Sequence, residues 1–474
     1  MTPVAPRSAG SSGADARDPL EMHEWSGETA LFSHSVIGYA LERLRVPKDP
    51  QWGAVPAAEL AEAIDGAVCE NGIGGLEALR LFRDVLMPAT RPMDDPMNVA
   101  YVPTAPGFAS TMFDLVVSAS SIFGGNWEAG AGAIAAENQA LAWLAELAGF
   151  PSTAGGVFVS GGSAANLSAL HTARHAHRQR HPHLAERRLA IAATGEVHSS
   201  VRAAAAVMDC DVVNVPVSRD GRMTGTALEA TLAALDNADR ERVFAVVATG
   251  GTTNAGVVDE LDAIADVCTE RCVWLHVDGA YGIAALAGSL ARDRFRGIER
   301  ADSFGVDPHK WLFAPYDCAA LVYRDPGLAT AAHAQHGAYL DAVNRADWNP
   351  SDYAYHLSRR ARGLPLWFGL ATHGTGAYTA AVDQTLRTAW GFAEAVRRHP
   401  GVSLVNEPEL SVVLFRRDGW GREEYAEWSR SRAAAGVALV VPTSFDGEPC
   451  LRVCIVNPRT ELAALEALLP DLTG

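Results

Sequence analysis

Lysine is nearly missing from this sequence. Of 39 basic residues only Lys48 and Lys310 are lysines, and the other 37 are arginine. Where positive charge alone is wanted, the chain uses arginine. A retained lysine therefore marks chemistry that a guanidinium does not do: an amine whose pKa is lowered becomes a nucleophile. Lys48 lies in Val-Pro-Lys-Asp-Pro, a turn-like stretch suited to a solvated charge. Lys310, in Asp307-Pro308-His309-Lys310-Trp311 between two apolar segments, is the candidate for covalent chemistry.

Other absences narrow the field. No run of about 18 uncharged apolar residues occurs, so no membrane-spanning helix is predicted. A net charge of −17 argues against nucleic acid and anionic membrane surfaces as partners. The seven cysteines form no Cys-x-x-Cys pair, and their number is odd in a large chain. Free buried thiols in a reducing, cytoplasmic setting are expected. Neither a Gly-x-x-x-x-Gly-Lys loop nor a Gly-x-Gly-x-x-Gly fingerprint is present. His171 and His175 have the i, i+4 spacing of a zinc pair within a His-rich stretch ending at His183, but no carboxylate or thiol is near in sequence. A solvated basic helix face is expected there.

What is present reads as an α/β protein. Residues 1–20 lack apolar runs and read as a disordered arm, and 21–97 as a helical segment in which Leu31–Arg45 has helical periodicity. Glu137–Leu147 is a second amphipathic helix. From Gly156 short apolar runs alternate with helices: 156–159, 189–192, 211–217, 243–248, 273–277 and 319–323 read as strands. Such alternation predicts a large, mostly parallel sheet covered on both faces, here spanning 98–370. Residues 331–356 read as a long loop of the functional-lid kind. Strands at 412–415 and 451–455 with intervening helices predict a small α+β domain over 371–474.

Four motifs fall at predicted strand ends, where open α/β sheets bind ligands. Ser160-Gly161-Gly162-Ser163 suits an anion at a helix start, or is a plain turn with Ser163 as cap. Asp278 ends an apolar strand, where a carboxylate requires a cationic or protonated partner, such as a pyridinium nitrogen or a structural salt bridge. His198 follows a strand and offers a ring to stack on a flat group, or a structural side chain. Thr252, in Gly250-Gly-Thr-Thr253, offers a hydroxyl to a phosphate, or completes a turn.

In combination, Gly-Gly-Ser-Ala-Ala-Asn, Val-His-Ser-Ser, Gly-Thr-Thr, His-Val-Asp-Gly-Ala-Tyr and Asp-Pro-His-Lys-Trp resemble, in order and spacing, the pyridoxal-phosphate-dependent group II amino acid decarboxylases, such as those for aromatic amino acids, histidine and glutamate. The resemblance runs from about residue 25 to the C-terminus. It implies fold type I of the pyridoxal phosphate enzymes, aspartate aminotransferase-like, with a seven-stranded large sheet. It also implies a homodimer with active sites at the interface, and conversion of an aromatic or related L-amino acid to its amine and carbon dioxide.

By the same resemblance Lys310 carries pyridoxal 5'-phosphate as an aldimine, and the reaction passes through a quinonoid. Asp278 keeps the pyridine nitrogen protonated. His198 stacks on one ring face and Ala280 meets the other. Gly162, Ser163 and Asp307 surround the phosphate, and Thr252 and His309 belong to the pocket. Tyr353, in Ser-Asp-Tyr, is the best match to a loop tyrosine that returns a proton, with Tyr339 and Tyr355 nearby. Tyr101, Val102, Thr104, Gly125 and Arg362 fall at substrate positions. Asp307 replaces the asparagine of animal relatives, and Gly125 and Val102 replace bulkier residues, which predicts a roomier pocket. Two other outcomes on the same cofactor are compatible with these residues: decarboxylation coupled to dioxygen, giving aldehyde, ammonia and peroxide, and β-elimination. A non-catalytic pyridoxal-phosphate-binding protein is the reading of a different class.

Overall fold

The computed structural model describes residues 20–45, 53–335 and 348–472. Lys48 and Tyr339 lie outside the described residues. The chain divides into two compact units, Met1–Arg91 and Pro92–Gly474. In the first, helices span Gly27–Arg45, Ala57–Ala63 and Gly75–Leu81. The Leu31–Arg45 periodicity thus begins one turn earlier, at Gly27.

The second unit holds two sheets. The larger has seven strands: β1 (Gly155–Val159), β2 (Ala190–Thr194), β3 (Asp211–Val215), β4 (Val243–Thr249), β5 (Trp274–Asp278), β6 (Ser303–Val306) and β7 (Ala319–Tyr323). Their order is β1-β7-β6-β5-β4-β2-β3. β7 pairs antiparallel with both β1 and β6, and the other pairings are parallel. Six strands therefore run one way and β7 alone runs against them. Five of the six end at one edge with the predicted motifs: β1 before Ser160, β2 before His198, β4 before Gly250, β5 at Asp278 and β6 before Asp307.

Every residue of β1, β2, β4, β5, β6 and β7 is buried. Alternate side chains serve two cores. Phe158, Ala192, Val246 and Ala248 face one, which contains Leu141, Leu144 and Ile264. Val157, Val159, Ile191 and Val247 face the other, which contains Leu170, Ala173 and Val201. Helices on both faces explain why the strands read as continuous apolar runs rather than alternating ones.

The smaller sheet is antiparallel, ordered β10-β11-β9-β8, with β8 Val402–Leu404, β9 Val412–Arg417, β10 Val441–Phe445 and β11 Glu448–Cys454. Pro442 sits in β10, an edge strand, where its missing N–H costs no internal pairing. Phe392, Phe415, Tyr425, Trp428 and Leu451 fill the core of this sheet. All seven cysteines are free, and five are buried. Among the described residues no helix is long and apolar enough to cross a membrane.

Residues 331–356 are not one continuous loop. His333 closes a helix, Pro326–His333, and Pro350–Asp352 forms a turn. Residues 336–347 lie outside the described residues.

Candidate active site

Lys310 stands in a four-residue helical turn, Pro308–Trp311, begun by a proline that needs no N–H partner there. Its Nζ lies 2.9 Å from Asp307 Oδ2. The sequence reading expects a lysine with a lowered pKa, and the structure corrects that expectation. Burial pulls the pKa down, but the Asp307 charge and hydrogen bond, with lesser help from Asp278 and Tyr316, outweigh it, and the net direction is up. The acid in place of asparagine is accounted for: Asp307 is buried and paired with the amine.

His309 is buried beside it. Its Nδ1 accepts from Cys318 N (3.0 Å), so in the neutral ring the proton sits on Nε2, 3.6 Å from Asp307 Oδ2. Burial lowers its pKa, which keeps the ring neutral. Thr104 Oγ1 donates to the His309 carbonyl (2.7 Å), holding the turn from below.

Asp278, at the end of β5, accepts from Ala280 N (3.1 Å) at Oδ1 and from Asn166 Nδ2 (2.8 Å) at Oδ2. These contacts begin a buried chain of hydrogen bonds with a defined direction. With its amide nitrogen toward Asp278, Asn166 presents Oδ1 to His276 Nε2 (3.0 Å), which must donate. Burial lowers the His276 pKa, so the ring is neutral and its Nδ1 accepts from Ser303 Oγ (2.8 Å). Ser303 in turn accepts from the Trp274 indole, which can only donate (3.0 Å). Asn166 also donates to Ser200 Oγ (2.9 Å), and Ser200 donates to His198 Nδ1 (2.8 Å). One asparagine thus joins the carboxylate of Asp278 to the exposed ring of His198.

The helix Gly162–Arg180 starts beside this network. Its N-cap is Gly161, without a side-chain cap, and Ser163 lies exposed in the first turn. Ser163 is therefore not the cap, and the first amides point out of the helix start unpaired by any intrahelical acceptor. Gly162 is required by close approach: a Cβ there would fall 2.9 Å from the Ala280 Cβ. Thr252 is buried, and its Oγ1 accepts from Val257 N (3.2 Å) within its own turn.

Other expected residues lie elsewhere. Tyr353 is a core residue, which corrects its reading as a loop proton donor. It is 7% exposed, its ring stacks on Trp348 (centroids 4.1 Å apart), and its hydroxyl bonds Thr330. Tyr355 is exposed against His356. Gly125 gives no extra room either: a Cβ there would lie 2.5 Å from both the Leu357 carbonyl oxygen and the Phe123 ring. The chain's own atoms close that position. Val102 is buried in the first core, and Tyr101 is exposed, its carbonyl accepting from Arg452. Arg362 Nε lies 3.0 Å from Asp317 Oδ1.

The sequence reading missed Tyr316 and Asn166. Tyr316 is half exposed, packs at a tilt against His309 (ring centroids 4.7 Å apart) and interacts electrostatically with Lys310. It lies six positions past Lys310. Asn166 lies one helical turn past Gly162, on a buried face, and that amide among alanines was the available signal.

An amine held by a carboxylate, an acceptor at the next strand end and an unfilled helix start are three separate chemistries gathered on one edge. An enzyme that carries pyridoxal phosphate needs all three: an amine for the aldehyde, an acceptor for the ring nitrogen's proton and donors for the phosphate. The residues present fit that group.

The comparison with known proteins narrows the class. Residues 74–418 match the family described as the pyridoxal-dependent decarboxylase conserved domain, and the chain belongs to that family. It is a pyridoxal-phosphate-dependent amino acid decarboxylase, a carboxy-lyase. It is 30% identical to the aromatic-L-amino-acid decarboxylase of Bacillus atrophaeus over 415 residues, 85% of each chain. It is 32% identical to the L-2,4-diaminobutyrate decarboxylase of Rhizobium meliloti over 416 residues, 85% of this chain and 80% of that one. The structure of Oryza sativa TDC with PLP and tryptamine superposes with a TM-score of 0.87 at 25% identity, covering 97% of this chain and 98% of that one.

Proposed function

We propose that the chain removes the α-carboxylate of an aromatic or related L-amino acid and releases the amine, with Lys310 holding the cofactor and Asp278 facing its ring nitrogen. The observation that carries this reading is the directed chain from Trp274 to Asp278. It fixes the carboxylate as an acceptor at a strand end one sheet position from the Lys310 turn. When bound, pyridoxal phosphate supplies a sink for the electron pair of the breaking Cα–carboxylate bond.

The chain's own residues do the rest. Asp278, whose Oδ1 and Oδ2 each accept one N–H, would keep a proton on the cofactor's ring nitrogen. His198, fixed through Nδ1, would offer its ring to the cofactor, and the bare amides of Gly162 and Ser163 would hold the phosphate. Lys310 Nζ would hold the cofactor's aldehyde carbon, and Asp307, 2.9 Å away, would keep or take up the proton of that amine. Tyr316 lies beside His309 and Lys310, and Arg362 pairs with Asp317, the residue after Tyr316.

The two curated relatives act, by their names, on amino acids of unlike side chain at nearly equal identity, so sequence distance does not choose between them. Kinetics on a panel of aromatic and basic L-amino acids, with amine, aldehyde and peroxide measured together, decide both substrate and outcome. The expected product is the amine. Stoichiometric peroxide would overturn simple decarboxylation. Lys310→Ala is expected to abolish both activity and the visible absorbance of bound cofactor. Unchanged absorbance would remove Lys310 from its role.

A cytoplasmic homodimer belongs to the same reading. In the first unit the helix Gly27–Arg45 buries none of its residues, and Leu31, Ile37 and Leu41 are exposed along it. A second copy that covers them makes a two-fold assembly, the commonest closed arrangement. Light scattering on the purified protein is expected to give twice the 50.2 kDa chain mass.

A further inference from the structure

The His-rich stretch is not absorbed by the decarboxylase site. The helix Gly162–Arg180 starts at that site and carries the stretch away from it. From Gly162 to His177 the rise is about 22 Å. At the far end His181 precedes, and His183 lies within, a short turn begun by Pro182. Glu241, from the helix Asn237–Glu241 just before β4, joins them there. Ligand atoms of His181, His183 and Glu241 all lie within 4.8 Å of one another, and His183 Nε2 is 3.1 Å from Glu241 Oε1.

We infer that His181, His183 and Glu241 form a divalent metal site, suited to zinc, remote from the decarboxylase centre. Two imidazoles and one carboxylate are a zinc donor set that leaves a fourth position to water. Zinc bonds of about 2.0–2.1 Å bring ligand atoms to roughly 3.4 Å from one another in a tetrahedron. The site therefore closes by side-chain rotation alone, which is open to His183 and Glu241, 58% and 45% exposed. The carboxylate is the partner absent from the sequence reading, since it lies 58 positions after His183 and only the fold brings it near.

A second layer holds the ligands in place. His177 Nε2 donates to the Glu241 carbonyl (3.0 Å), and its ring packs on His181 (4.5 Å). His177 is 3% exposed and its Nδ1 has no hydrogen-bond partner. Such outer contacts orient metal ligands. The neighbouring arginines are engaged elsewhere: Arg180 with the Cys272 carbonyl, Arg240 with the carbonyls of Leu232 and Leu235, and Arg271 with Glu229. Bound there, the metal ties the end of the long helix to the segment that leads into β4.

The test is calorimetric titration of zinc chloride into the tag-free, cofactor-loaded enzyme after chelator dialysis, with the melting midpoint measured in parallel. One equivalent is expected to bind and to raise the midpoint. His183→Gln and Glu241→Gln, both at exposed positions, are expected to weaken binding at least tenfold and to abolish the rise, leaving cofactor absorbance and activity unchanged. Absence of binding overturns the site. So does binding that persists in both variants, which would place the metal on another group, such as the exposed Cys272. Either result leaves the decarboxylase reading standing.

Discussion

Asn166 is the single side chain on which the polarity of the buried network depends. Its amide has one orientation compatible with a carboxylate on one side and a donating imidazole on the other. Asn166→Ala leaves Asp278 Oδ2 and His276 Nε2 without partners. A hydrogen bond to a charged group contributes about 1.5–3 kcal/mol, so kcat is expected to fall roughly 10- to 150-fold. An Asn166→Ala enzyme with unchanged kcat would remove the network from function. Asp307 makes a prediction of opposite sense. It holds the Lys310 pKa up, so Asp307→Asn lowers that pKa and leaves more free amine near neutrality. Reconstitution of the cofactor-stripped enzyme is expected to reach its maximal rate at lower pH in the variant. A pH profile identical to that of the parent contradicts this account of Asp307.

At the scale of elements, the segment after the undescribed residues is fixed by charge buried in the protein. Arg359, with a fully buried side chain, is bidentate to Glu137 of the helix Trp127–Leu147 (2.7 and 2.8 Å) and donates to the Gly124 carbonyl (2.7 Å). Glu137 also accepts from Gly363 N (2.7 Å). Removing one member strands the other without compensation, at a cost of about 3–5 kcal/mol. Glu137→Ala is expected to lower the free energy of denaturant unfolding by that amount, and a loss below about 1 kcal/mol would refute the account. The same elements show what the sequence conveyed. Six of the seven large-sheet strands announce themselves as apolar runs, five of them because both faces of the sheet are buried there. β6 does not, because its four residues include a serine and a glycine. Lys310, Asp278 and Gly162 are legible for a related reason: each lies at the end of a strand, where chain position fixes spatial position. Asn166 and Tyr316 reach the site through packing of a helix and a loop, which adjacency in sequence does not encode. Tyr353 failed in the reverse direction, since an aromatic between polar residues can serve a core as well as an opening.

For the molecule as a whole, buried imidazoles govern tolerance of acid. Burial pulls His177, His333 and His356 each down to about 4, and lowers His276. In the unfolded chain each returns toward 6.5. Between those values the unfolded chain binds more protons than the folded one, so stability is lost as pH falls from about 6.5 toward 4. Two carboxyls oppose them, Asp302, which burial raises, and Asp259. Asp259, raised to about 7 by burial despite accepting from Thr249 N and Met223 N, holds a proton in the fold that the unfolded chain releases down to 3.8. It adds stability on acidification over much the same window. Asp220 and Asp383 are lowered in the fold by their hydrogen-bond partners, so their contribution is lost only below 3.8. The lowered imidazoles, His171 and His309 among them, outnumber the two carboxyls, which gives a net fall, and its position separates it from ordinary carboxylate titration. The urea midpoint is expected to drop steadily between pH 6.5 and about 4, and His333→Gln, which deletes one of these imidazoles, is expected to make that drop shallower. A midpoint that stays flat over this interval and collapses only below 3.8 would assign acid sensitivity to the carboxylates instead.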